Sequence, residues 1–167
     1  MKIEDSLGHV RGIKGDYTQA SFAKVLIVAA RFNATITKAL LVEVENVLAE
    51  SGCDKATIIW VPGAFEIPLA TDLAIQEYHP DVVICLGAVI RGETPHFDFV
   101  AQEVSKGTMD VSLKRGVPVI LGVLTTDSLS QAEDRCSVSG LNKGREFGIA
   151  ALEMVSLFDQ ISGPKAT

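Results

Sequence analysis

Four short runs of continuously apolar sequence, rich in β-branched residues, punctuate the chain: Lys24 to Ala30, Ala56 to Val61, Asp81 to Val89 and Val117 to Leu124. None alternates apolar with polar positions, so each predicts a strand covered on both faces, as in a parallel sheet. Between the runs the spacing becomes helical. Ile36, Leu40, Val44, Val47 and Leu48 predict one helix, with Gly52 as its stop. Glu66 to Tyr78 predicts a second, with Pro68 in the first turn, where a missing N–H is tolerated, and an end before Pro80. Thr94 as N-cap and Pro95 as first helical residue predict a third. Its apolar face is Phe97, Val100, Ala101, Val104, Thr108 and Val111, and Lys114, Arg115 and Gly116 close it. Ser128 and Gln131 form a capping box for a short helix ending near Arg135. A last helix from about Asn142 places Phe147, Ala150, Ala151, Met154 and Phe158 on one stripe.

Strands that alternate with helices imply right-handed crossovers and a sheet covered on both sides. The expected architecture is therefore α/β: a flavodoxin-like, three-layer α/β/α fold on a four-stranded parallel sheet. Residues 1–167 read as one domain, with an N-terminal arm over 1–22 and a loose tail over 160–167. The arm falls outside the repeat and holds one extra short strand around His9 to Gly12.

Composition narrows the partners. A net charge of −6 argues against global attraction to nucleic acid or to an acidic membrane surface. A local basic pocket for a small anion is compatible with that charge. Cys53, Cys85 and Cys136 are odd in number, widely spaced and without a CxxC pair, which argues against a disulfide framework or a zinc knuckle. Cys85 lies inside an apolar run and reads as a buried structural thiol. The start MKIEDSLGHVRG lacks a signal-peptide apolar stretch, and no apolar run has the length of a membrane span. The expected location is the reducing cytoplasm.

Candidate chemistry gathers where the strands end. In open α/β sheets ligands bind beyond the carboxyl ends of the strands. Here the four runs end in Arg31-Phe32-Asn33, Pro62-Gly63-Ala64-Phe65-Glu66, Arg91-Gly92-Glu93-Thr94-Pro95-His96 and Thr125-Thr126-Asp127. The third cluster opens a helix whose free N–H groups and dipole can hold a phosphate. His96 in its first turn could exchange protons near neutral pH, or simply be a surface or capping histidine. His9 and His79 have no such setting. Phe32 and Phe65 sit in loops where a flat heterocycle could stack, or they fill gaps in the core. Asn33 and Glu66 offer polar contacts to a hydroxylated ligand, and Glu66 also complements a helix dipole. Arg135, Lys143 and Arg145 supply local positive charge. Arg135 is either a helix C-terminal dipole partner or a phosphate clamp, and charge alone does not choose.

The segments ARFN, VPGAFEIP, GAVIRGETPHFDF and PVILGVLTTD, followed by Arg135 and the NKG at Asn142 to Gly144, resemble the bacterial and plant-type lumazine synthases in order and spacing. The resemblance runs from about Lys24 to Phe158 and is most specific in GETPHF. It implies condensation of 5-amino-6-(D-ribitylamino)uracil with L-3,4-dihydroxy-2-butanone 4-phosphate to 6,7-dimethyl-8-ribityllumazine, phosphate and water, with no metal or organic cofactor. Carried over by motif, Phe32 would stack on the pyrimidine, and Asn33, Ala64 and Glu66 would meet the ribityl chain, with Phe65 alongside. Backbone groups of Val89 and Ile90 would read the uracil edge. Glu93 and Thr94 would hold the phosphate through their backbone, and His96 would transfer protons. Arg135 would bind phosphate and Lys143 would lie near the pyrimidine, both reaching a neighbouring subunit's site.

The resemblance also implies a homo-oligomer of pentamers. The uninterrupted stretch between Arg135 and Lys143 leans towards an icosahedral capsid, in which the N-terminal segment adds a strand to a neighbour's sheet. Riboflavin synthase is the implied protein partner. Two departures stand out: Leu121 takes the place of a phenylalanine that sandwiches the pyrimidine in many relatives, and Ser137 and Ser139 replace their glycine and lysine. Four other functions compete. A flavodoxin-type FMN module would need a Ser/Thr/Gly-rich phosphate loop where ARFNATIT stands. An archaeal-type riboflavin synthase would use the lumazine itself as substrate. A non-catalytic cage for flavin or lumazine would bind without turnover. A receiver domain would need acids where Arg31, Phe32 and Asn33 stand.

Overall fold

The computed structural model describes residues 6, 7 and 10–163. Four strands form one parallel sheet: β3 (Lys24–Ala30), β4 (Lys55–Val61), β5 (Val82–Ile90) and β6 (Val119–Thr126), in the order β4-β3-β5-β6. Two-residue strands β1 (Ser6–Leu7) and β2 (Val10–Arg11) precede them and pair antiparallel with each other. The expected extra strand overlaps β2, while His9 lies outside the described residues. The helices are α1 (Ala34–Glu50), α2 (Ile67–Tyr78), α3 (His96–Arg115), α4 (Leu129–Cys136) and α5 (Lys143–Ser162). The result is the three-layer α/β/α arrangement that the alternating pattern predicts.

The two central strands separate two cores by the parity of their residues. Val25, Ile27, Ala29, Val82, Ile84 and Leu86 pack beneath α1, α4 and α5. Leu26, Val28, Ala30, Val83 and Cys85 pack beneath α2 and α3. The expected stripe of α1 is buried throughout, from Ile36 to Leu48. The end signals of α3 hold as well: Gly116 adopts the left-handed conformation at φ 63° behind Lys114 and Arg115. Cys85 is fully buried, and desolvation pushes its thiol pKa up to about 12.

The outer strands and the last helix depart from expectation. β4 is not covered on both faces. Ile58 and Trp60 share the α1 side by their register with Ile27 and Ala29, yet stay more than a third exposed, because α1 and α5 cover the sheet only as far as β3. On α5 the buried residues are Gly144, Gly148, Ala151, Leu152, Val155 and Ser156; of the expected stripe Ala151 is buried and Phe147 packs half-buried against the core, but the stripe as a whole is rotated. The reason is close approach to α1: a Cβ at Gly144 would lie 2.5 Å from the Leu40 carbonyl oxygen, and one at Gly148 would lie 2.9 Å from the Val47 Cβ. The larger residues are turned aside, and Phe158 is 39% exposed. The helix also continues to Ser162, so the loose tail expected from residue 160 is helical up to there, and residues 164–167 lie outside the described residues. Part of the N-terminal arm is pinned to this helix. The Asp16 amide donates to Ser156 Oγ at 3.1 Å, and Gln160 Nε2 donates to the Lys14 carbonyl at 2.9 Å.

Asp72 ties the two helices of the second layer, pairing with Lys114 at 3.4 Å and more closely with Arg115. Arg115 on α3 donates two bonds of 2.8 Å to the Asp72 carboxylate on α2, with both side chains about three-quarters or more shielded. The guanidinium holds the Asp72 pKa below its ordinary value of 3.8. A carboxyl with a depressed folded-state pKa stabilises the fold above its unfolded value and loses that contribution as pH falls through the folded one. Asp72→Asn is therefore expected to lower the urea midpoint at neutral pH, with the gap to the parent closing as pH drops below about 3.8. A gap that stays constant from pH 7 to pH 3 would show that the pair contributes nothing through charge.

Candidate active site

The sheet order creates a crevice between β3 and β5. From β3 the chain runs to β4 on one side, and from β4 it crosses to β5 on the other, so the connections diverge at the carboxyl ends of β3 and β5. The two strands also differ in reach. Their last paired residues are Ala29 and Leu86, whereas β5 continues to Ile90. The end of β5 thus presents backbone groups to the crevice instead of to a strand. Asn33 takes one of them: its Nδ2 donates to the Ala88 carbonyl at 2.9 Å. Asn33 also adopts the left-handed conformation at φ 59°, which asparagine tolerates better than most residues, and there it opens α1. Its carbonyl accepts from the Ile36 and Thr37 amides.

Alternation along β5 sorts the two residues expected to read a ligand edge. The Ala88 carbonyl faces β3, and the Arg91 amide faces β6, where it donates to the Thr126 carbonyl at 2.9 Å. Ile90, two residues beyond Ala88, thus turns its backbone to the crevice. Val89 turns its own to β6, where it pairs with Thr125.

The β4 end is joined to the same rim. Arg31 and Phe32 donate their amides to the Val61 and Pro62 carbonyls at 2.9 and 3.0 Å. Ala64, Phe65 and Glu66 follow in a single 3₁₀ turn before α2. Phe32 is 72% exposed and Phe65 59% exposed, so neither ring fills the core. Ala64 is buried and its turn packs against β5.

On the far side of the crevice, Gly92 to Pro95 lead into α3, and Glu93, Thr94 and His96 are all exposed. The helix starts at His96, one residue later than the sequence pattern places it. Pro95 occupies the N-cap position, and Thr94 lies outside the helix rather than capping it. Pro95 has φ −68° and ψ 3°, outside the helical region, so the first helical residue is His96. His96 is the first residue of α3, at the positive end of a 20-residue helix.

Three further expected residues do not join this group within one chain. Leu121 sits mid-strand on β6, paired with Cys85, five positions before the strand ends, and is 39% exposed. Arg135 lies in the last turn of α4 and donates to the Gln131 carbonyl. Lys143 starts α5 and pairs with Glu146. Its neighbour Asn142 donates to Glu43, nine residues into α1, which at ~1.5 Å of rise per residue is well over 10 Å below the rim. The expected capping box at α4 is present in altered form: Ser128 Oγ accepts from the Gln131 amide, while Gln131 reaches back to the Asp127 amide.

One group has no counterpart in the sequence expectations. Arg91 donates two bonds to Asp98, at 3.1 and 2.9 Å, and one from Nε to Asp127 at 2.8 Å, with its guanidinium 4.2 Å from the centroid of the Phe97 ring. Both contacts raise the Arg91 pKa, and the same bonds hold Asp98 below the ordinary carboxylate range. The pairing across β5 and β6 depends on strand adjacency, which no local pattern encodes.

Taken together, an exposed helix start carrying an imidazole and two exposed rings gather at the switch point of a three-layer α/β fold, the place where open parallel sheets bind small molecules. The family model described as 6,7-dimethyl-8-ribityllumazine synthase matches residues 23–159. Proteins bearing that name in Prochlorococcus marinus and Trichormus variabilis are 47% identical over 150 residues and 42% identical over 154. The alignments cover 86% and 89% of this chain, and 90% and 80% of those proteins. A third, from Prochlorococcus marinus subsp. pastoris, is 44% identical over 155 residues, 89% of this chain and 98% of that protein. The chain belongs to the 6,7-dimethyl-8-ribityllumazine synthase family.

The Asn33–Ala88 bond is expected to set the width of the crevice. Asn33→Asp keeps the shape but removes the donor, and is expected to cost about 1–3 kcal/mol by setting a carboxylate against a carbonyl. Chemical denaturation measures it, and an unchanged midpoint would show that the bond does not form.

Proposed function

We propose that this protein is a lumazine synthase acting in riboflavin biosynthesis. It condenses 5-amino-6-(D-ribitylamino)uracil with L-3,4-dihydroxy-2-butanone 4-phosphate, releasing phosphate and water. The observation that carries the reading is the convergence, at one switch point of a family-matched fold, of the Phe32-Asn33 turn, the 3₁₀ turn at Ala64 to Glu66 and the His96 helix start. Phe32, with Phe65 alongside, offers an apolar face to the pyrimidine. The free backbone at Ile90 offers hydrogen bonds to its edge. The remaining Asn33 oxygen, Ala64 and Glu66 meet the ribityl hydroxyls. Glu93 and Thr94 present amides to the phosphate, and His96 beside them moves protons as the amine adds to the ketone and phosphate leaves. Holding two reactants in one crevice supplies most of the acceleration in such a condensation. Arg135, Lys143 and Leu121 serve a neighbouring subunit's site, a reading supported for Lys143 by its depth below this chain's own rim and for Leu121 by its mid-strand place on β6.

That division calls for an oligomer. We read it as a pentamer, assembled further into an icosahedral capsid, with β4's open edge and exposed Ile58 and Trp60 as surface available for contact between copies. The N-terminal segment adds a strand to a neighbour's sheet, and riboflavin synthase is the protein partner. Three buried, unpaired cysteines fit a reducing cytoplasm. No helix among the described residues is long and apolar enough to cross a membrane.

Mixing the protein with both substrates is expected to give lumazine fluorescence and stoichiometric phosphate. Flavin binding without turnover would instead favour the cage, and conversion of two lumazines to riboflavin would favour the archaeal-type relative. His96→Gln is expected to lower kcat at or below the roughly hundredfold loss typical of an acid–base residue, since positioning dominates. An unchanged rate would remove His96 from the chemistry. Leu121→Phe is expected to tighten pyrimidine binding by restoring a second stacking face, worth about 0.5–1.5 kcal/mol. An unaltered affinity by titration would show that Leu121 does not reach the ring.

A further inference from the structure

The Arg91 network is too exposed to be explained by stability. Its side chain and those of Asp98 and Asp127 are 41%, 57% and 70% exposed, and ion pairs in that setting contribute little to folding. Yet Arg91 is held by its backbone to Thr126, by its guanidinium to two carboxylates, and by its flat face to Phe97. Its position relative to α3 supplies a reason. Asp98 is the third residue of that helix, where an acidic side chain ordinarily folds back to accept from the amides of the helix start. Pro95 at the N-cap has no N–H to offer, so a released Asp98 would have the neighbouring amides as its local donors. A carboxylate there would occupy or repel the phosphate that those amides are proposed to bind.

We propose that Arg91 is a positioning residue that keeps the phosphate seat open, by drawing the Asp98 carboxylate away from the start of α3 and anchoring it to the end of β6 through Asp127. Three of the five guanidinium N–H groups already bond to the two carboxylates, so Arg91 is oriented towards Asp98 and Asp127. The bidentate geometry needs a planar guanidinium, so lysine is a poor substitute.

This inference rests on the reading of the site as a lumazine synthase, and the experiment separates the two. Wild-type protein that forms no lumazine from the two substrates overturns that reading. With active wild type, inorganic phosphate is titrated into Arg91→Met, Asp98→Ala and the double variant, and KM is measured for each substrate. R91M is expected to weaken phosphate binding by about tenfold, as a like charge left beside an anion should. It is also expected to raise KM for the phosphorylated ketone while leaving that for the pyrimidine unchanged. D98A alone is expected to bind phosphate at least as tightly as wild type. The double variant is expected to return to within about threefold of it, since the obstructing carboxylate is gone. A purely structural arginine would give no such rescue. Unaltered phosphate binding in R91M, or a double variant as weak as R91M, overturns the proposal. Should R91M fail to fold, weaker phosphate binding by D98A overturns it, and equal or tighter binding upholds it.

Discussion

Burying β3 and β5 on both faces is the constraint from which the rest of the structure follows. A strand with helices above and below has no solvent-facing side, so its polar chemistry must lie beyond its ends. In this chain it lies almost wholly beyond the carboxyl ends, where connections diverging at a switch point leave an open crevice. The amino ends differ: Asp81 accepts from the Lys24 amide, and Phe22, Pro80, Val117 and Phe158 line a cavity of about 520 Å³ there. The crevice owes its free backbone to a difference in strand length, with β5 outrunning β3, and its entry to the left-handed turn at Asn33.

Much of this could be read from the chain. The continuously apolar runs marked every strand of the sheet, and the polar clusters behind them marked the loops at its carboxyl rim. α1 obeyed its periodic stripe because it lies across the sheet at an ordinary distance. α5 did not, because the pattern that counts large apolar residues overlooks glycines, and here Gly144 and Gly148 form the contact. Close helix approach rewards the smallest residue, so the most intimate face of α5 is among its least hydrophobic. The exposure of β4 escaped for another reason. An apolar run states that a strand wants cover, but not whether the cover comes from its own chain.

The site was legible in its members more than in its connections. Phe32, Asn33 and His96 follow strands of one parallel sheet and Ile90 ends one, so all lie along its carboxyl rim. What the linear order conceals is sideways adjacency. Asn33 bonds to Ala88, and Arg91 to Asp127, only because β3 and β6 flank β5. Pairs separated by a crossover carry no local signature, and they hold the crevice in shape. The one-residue displacement of α3 is of a different kind. Thr94 and Pro95 are each favourable near a helix start, but Pro95 takes ψ 3°, outside the helical region, and the helix begins at His96.

The three buried thiols carry a practical consequence. With its pKa near 12 and no exposed surface, Cys85 offers neither thiolate nor access to an alkylating reagent while the sheet is intact. Modification at that position requires separating β5 from its neighbours, so the rate at which a maleimide labels Cys85 reports how often the central sheet opens. Cys53 and Cys136, beneath the two ends of the first helical layer, would report more local breathing in the same reaction. The chain thus carries its own set of intrinsic stopwatches, graded by depth.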